Sequence, residues 1–106
     1  MAGQAVCKKD EIPTGYMKQL IFDDEEIAVY HLPDGWFATS DVCTHGRAFL
    51  TEGSLDGCIV TCPRHGGQFN VMTGAAVKFP CVSPLQVYSV NIRDEEVWVD
   101  CSVQRK

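Results

Sequence analysis

Cys43-Thr44-His45-Gly46 and Cys62-Pro63-Arg64-His65-Gly66 are the two stretches of this 106-residue chain on which its fold turns. Each sets one thiol and one imidazole within a few residues of each other, and sixteen residues separate His45 from Cys62. A zinc finger groups its ligands differently, with two Cys from a hairpin and two His from a helix converging on one ion. Here each loop contributes a mixed pair, which suits two metal ions that differ in ligand type. A structural zinc site is the competing reading of the same four residues. Gly46, Gly66 and Gly67 allow tight turns that bring amide N–H groups close to whatever the loops hold, and Pro63 stiffens the second loop.

Around the two motifs, Ser40 to Gly74 is dense in Gly, Cys, His and Thr and has no long periodic pattern. It reads as loops, with Cys58 to Thr61 the one convincing strand, set between the turn Asp56-Gly57 and the second motif. Further out the pattern changes. Tyr16 to Phe22 alternates, Ile27 to Leu32 leads into the turn Pro33-Asp34-Gly35, and Trp36 to Thr39 follows. Tyr88, Val90 and Ile92 alternate with polar neighbours, and the turn Asp94-Glu95-Glu96 joins them to Val97-Trp98-Val99 as a hairpin. Apolar runs punctuated by turns at roughly 8 to 12 residues are the rhythm of an all-β domain. The expected architecture is antiparallel sheets formed by both chain ends, about residues 1–40 and 70–106. A loop-built subdomain at about 41–69 is inserted between them.

Composition narrows what such a domain can do. At 45% hydrophobic and 22% charged residues, 106 residues make one core, too small for a large cavity lined by several loops. A net charge of −5 leaves no field for phosphate backbones, so nucleic acid is excluded as a partner. No apolar run approaches the roughly 18 residues of a membrane span. Met1 to Pro13 carries Lys8, Lys9, Asp10 and Glu11 rather than the apolar core of a secretory signal, so a complete chain of this sequence is expected in the cytoplasm. Six cysteines there point to metal rather than to disulfides.

Two Cys on one iron and two His on the other is the ligand set of a Rieske [2Fe–2S] centre, in which neutral imidazoles remove negative charge and make the cluster easier to reduce. The chain resembles the Rieske-type ferredoxins of bacterial multicomponent aromatic-ring dioxygenases. The likeness runs through Asp34-Gly35, Ala38-Thr39, Cys43-Thr44-His45-Gly46, Glu52-Gly53, Cys62-Pro63, His65-Gly66, Phe69-Asn70, Thr73-Gly74 and Pro84-Leu85. It implies an all-β Rieske domain holding one [2Fe–2S] cluster, with Cys43 and Cys62 on the inner iron and His45 and His65 on the outer one. It further implies a soluble, monomeric one-electron carrier, not itself an enzyme. Its partners would be an NAD(P)H-dependent ferredoxin reductase of the flavoprotein kind and a terminal Rieske non-haem iron oxygenase. The oxygenase's own iron site needs two His and a carboxylate, and no spare His pair remains here to build one. The rival from another class is the Rieske-like small subunit of an oxidoreductase such as nitrite reductase.

Respiratory and photosynthetic Rieske proteins carry an extra Cys in each loop, joined as a disulfide; here Arg64 takes that place in the second loop, and the first runs His45-Gly46-Arg47-Ala48. Their cluster-bonding Ser and Tyr correspond to Gly67 and Phe69. Fewer hydrogen bonds to sulfur place the expected potential near the low limit of roughly −150 mV. Arg47 and Arg64, each inside a loop, are exposed residues or guides to partner docking. Cys7, Cys58, Cys81 and Cys101 are expected to pack as small hydrophobes. His31 reads as an ordinary structural histidine, and Trp36, Tyr88 and Trp98 as core. The acidic runs 23–26 and 94–96 read as solvated turns.

Overall fold

The computed structural model describes residues 4–22, 25–43, 48–64, 66–79 and 83–104. Alternation in the two chain ends becomes one antiparallel sheet. Its strands are β1 (Gln4–Lys8), β2 (Tyr16–Phe22), β3 (Glu25–Leu32), β4 (Gly35–Ser40), β9 (Val87–Arg93) and β10 (Glu96–Gln104), ordered β1-β10-β9-β4-β3-β2. Between β4 and β9 lie four three-residue strands, β5 (Ser54–Asp56), β6 (Ile59–Thr61), β7 (Gln68–Asn70) and β8 (Ala76–Lys78), which form a second antiparallel sheet in chain order. A single helical turn, Leu50–Glu52, leads into β5.

The all-β expectation holds, and β2, β3, β4 and the β9–β10 hairpin stand where the apolar runs and the turns between them put them. The middle region differs from its reading as loops with one strand. Only Leu55, Val60 and Phe69 anchor β5, β6 and β7, and one inward side chain per three-residue strand gives no period to detect. β1 was also missed, since Gln4–Lys8 is short and half polar.

β3 explains how the two sheets share one body. Ile27 to Tyr30 are all fully buried, and a strand covered on both faces loses its alternation. Ala28, Tyr30 and Leu32 turn toward a core with Leu50, Val60, Phe69, Val71 and Leu85. Ile27 and Val29 turn the other way, toward Ile12, Ala38, Tyr88, Val97 and Val99. The first core lies under the cysteine loops; the second belongs to the large sheet alone.

Candidate metal centre

The cysteines of both motifs sit at the mouths of hairpins, and the two hairpins close alike. In the first, Val42 bridges Phe49 and the Cys43 N–H donates to the Ala48 carbonyl at 2.9 Å. In the second, Thr61 pairs with Gln68 and the Cys62 N–H donates to the Gly67 carbonyl at 2.8 Å. The donor-to-acceptor spacing is five residues each time, so each loop projects the same length of chain beyond its cysteine. Gly66 has φ +77, the left-handed conformation expected of a glycine in the second loop, and its N–H returns to the Cys62 carbonyl at 3.2 Å.

Cys43 and Cys62 belong to the same core and are 3% and 2% exposed. Two thiols on separate loops are thereby brought to one apolar floor, as the inner half of the expected ligand set requires. His45, His65 and Arg47 lie outside the described residues. Among the described residues no group of three or more His, Cys, Asp and Glu side chains is gathered. Arg64 is exposed.

The loops rest on different supports. Behind the first is Asp41, fully buried, whose Oδ1 accepts from the Thr51 N–H at 2.9 Å. Its Oδ2 accepts from Thr51 Oγ1 at 2.7 Å and from Gln19 Nε2 at 2.7 Å. The Asp41 main chain adds an N–H bond to the Glu26 carbonyl at 3.0 Å and a carbonyl bond from the Leu50 N–H at 2.8 Å. One residue thus joins β2, β3 and the helical turn two positions before Cys43. The second loop is braced by Gly53: a Cβ there would run into the Thr61 carbonyl oxygen and come within 3.1 Å of Pro63 Cδ. The turn after Leu50–Glu52 therefore lies directly against the neck of the second loop, and only glycine allows it.

Nearby, the buried Tyr30 hydroxyl donates to Thr39 Oγ1 at 2.9 Å, and Thr39 Oγ1 donates to the Ser40 carbonyl at 2.8 Å. Burial pushes the Tyr30 phenol well above its usual range, so it remains a donor.

The remaining candidates behave structurally. His31 stacks on Trp36 with ring centroids 3.9 Å apart, and its Nδ1 lies 2.8 Å from the Ile12 carbonyl. Cys7 and Cys58 are half-buried thiols outside any disulfide, and burial pushes the Cys7 thiol up, away from the reactive thiolate. Cys81, and the side chain of Cys101, lie outside the described residues. Two side chains carried no signal in the sequence. Asp41 finds its partners 22 and 10 positions away. Phe79, 79% exposed, is set beside the loop-closing Gly67 by the pairing of Gln68 with Lys78.

Residues 2–89 match the family model described as the Rieske [2Fe-2S] domain. The chain is 41% identical over 97 residues to the biphenyl dioxygenase ferredoxin subunit of Pseudomonas sp. (strain KKS102), covering 91% of this chain and 89% of that one. It is 51% identical over 73 residues to ferredoxin CarAc of Metapseudomonas resinovorans, covering 69% and 68%. Among solved structures, a chain from the complex of reduced oxygenase and oxidized ferredoxin in carbazole 1,9a-dioxygenase superimposes with a TM-score of 0.90 at 37% identity, covering 99% of this chain and 97% of that chain. Twin cysteine hairpins over one buried floor, and relatives that match along nearly the whole length, make this chain a member of the Rieske [2Fe–2S] domain family.

Proposed function

We propose that the protein is the one-electron carrier of an aromatic-ring dioxygenase system, taking electrons from an NAD(P)H-dependent flavoprotein reductase and passing them to a terminal Rieske non-haem iron oxygenase. The observation that carries this reading is the pair of matched hairpins with buried cysteines, in a chain that matches a dioxygenase ferredoxin subunit over 89% of that subunit's length. The [2Fe–2S] cluster supplies a one-electron couple at a potential near roughly −150 mV. Everything further is done by the chain. Cys43 and Cys62 would hold the inner iron, and His45 and His65 the outer one. We read the chain as one domain, with residues about 41–69 forming the cluster-binding part, and as a cytoplasmic monomer. No helix among the described residues is long and apolar enough to cross a membrane.

Docking follows from the same arrangement. With the cysteines buried at the loop mouths, the described edge that partners can approach is that of the second loop. Pro63 and Arg64 are exposed on the second loop, Phe79 stands exposed beside it, and Val42 is 38% exposed at the neck of the first. A carrier must meet two proteins in turn, so its contact is small and short-lived. The net charge of −5 draws basic partner surfaces, Arg64 and Arg47 select orientation, and Phe79 gives the contact an apolar anchor.

The test is reconstitution with NADH, a reductase and an oxygenase of an aromatic-ring dioxygenase system. Adding the protein should restore product formation that its omission abolishes. Arg64→Glu should slow transfer to at least one partner with the cluster spectrum unchanged. A protein that holds zinc and no iron, or that takes electrons from no such reductase, sinks the reading.

A further inference from the structure

Resting on that ligand assignment, we propose that Asp41 is a positioning residue for the cluster, acting through Cys43. Its carboxylate is fully buried and has three donors from two separate elements aimed at it. Gln19 reaches it from β2, an edge strand of the large sheet, and Thr51 from the helical turn after the loop. The first cysteine loop leaves at Asp41 and returns at Leu50, and the Leu50 N–H bonds the Asp41 carbonyl. Both ends of the loop are therefore tied at this one residue.

Geometry makes this more than a core polar contact. Among the described residues the neck of the first loop is held by the Val42–Phe49 bridge, the Cys43–Ala48 hydrogen bond and the Leu50–Asp41 hydrogen bond, outside any named strand. So little ladder cannot by itself fix a ligand to the tolerance a metal centre demands. A carboxylate two residues away, held on both oxygens, supplies the missing rigidity, as residues that orient metal ligands from behind generally do. Asp41 touches no reacting group. It fixes the backbone from which Cys43 projects.

The experiment compares Asp41→Ala, Asp41→Asn, Thr51→Val and Thr39→Val in the full chain. It follows loss of the visible cluster absorbance to an iron chelator and the electron paramagnetic resonance line shape of the reduced protein. Asp41→Ala should lose its cluster about tenfold faster than wild type, with broadened resonances. Asp41→Asn keeps the acceptor for the Thr51 N–H and can pair again with Gln19 and Thr51 Oγ1, so it should stay close to wild type. Should Asp41→Ala fail to fold, Thr51→Val removes one bond to the carboxylate and should show about a threefold faster loss. Thr39→Val removes the buried hydroxyl that bonds Tyr30 and leaves every bond to the Asp41 carboxylate in place, so it should lower thermal stability without changing line shape or chelation rate. The proposal is overturned if Thr51→Val and a folded Asp41→Ala match wild type in both readouts, or if they differ no more than Thr39→Val does. Cys43→Ser separates the two levels of argument. An unaltered spectrum there defeats the ligand assignment itself, whereas a lost or altered one beside a silent Asp41→Ala defeats only the role of Asp41.

Discussion

The two cysteine hairpins bring their cysteines to the same core by different physical means. The second is an ordinary piece of sheet: three residue pairs join β6 to β7, the ladder runs into the Cys62–Gly67 bond, and Gly53 lies flat against its neck. Among the described residues the first has one isolated bridge and two backbone bonds outside any named strand, with the buried Asp41 side chain behind it. A hydrogen bond contributes about 1 kcal/mol net, so the three bonds on the Asp41 side chain are worth about as much as a short stretch of ladder. Sheet can be supplemented by a single well-paired buried side chain, at the cost of making the loop depend on one residue.

The largest expected effect tests what the hairpins share. Leu50, fully buried in the common core and hydrogen-bonded to Asp41, supports the first loop while touching the floor of both. Leu50→Ala should cost about 3 kcal/mol of stability in chemical denaturation and loosen the cluster. A loss under about 1 kcal/mol means the two loops do not rest on one floor.

A smaller effect isolates the second hairpin. The Cβ of Gly53→Ala must displace the Thr61 carbonyl or the turn itself, at about 2 kcal/mol, the range of forced overpacking. Cluster loading should fall while the Asp41 bonds stay in place, as amide exchange at Thr51 would report. Normal loading in this variant removes Gly53 as the brace.

The smallest effect lies away from both loops. Asp94 and Glu95 form the β9–β10 turn with φ 51 and 70, a conformation that costs a side-chain-bearing residue about 1 kcal/mol or more. Glu95→Gly should raise stability by about 1 kcal/mol and leave the reduced-state resonance untouched. A changed resonance shows that this hairpin is coupled to the site after all.

Much of this was legible in the chain itself. Alternation in Tyr16–Phe22 and Tyr88–Ile92 survives because those strands are long enough to show a period. Cys43 and Cys62 stand out as a pair by their matching motifs, and the fold brings them into one core. The short strands β5, β7 and β8 were not legible, because each is three residues long and takes its direction from its neighbour in the sheet. Asp41 was passed over for a related reason. An acidic residue before a cysteine has no meaning until the fold brings Gln19 and Thr51 to it. Phe79 was equally silent, since an aromatic residue beside Pro80 reads as packing until its exposure is seen.

β3 divides the interior in two, and only one compartment contains cysteines of the metal motifs. Ile27 and Val29 face a compartment shared with Val97 and Val99, in which no motif cysteine takes part. Ala28, Tyr30 and Leu32 face the compartment that includes Cys43 and Cys62. The large sheet therefore closes its own compartment without drawing on either motif cysteine, and β3 is the strand through which that compartment meets the cysteine-bearing one.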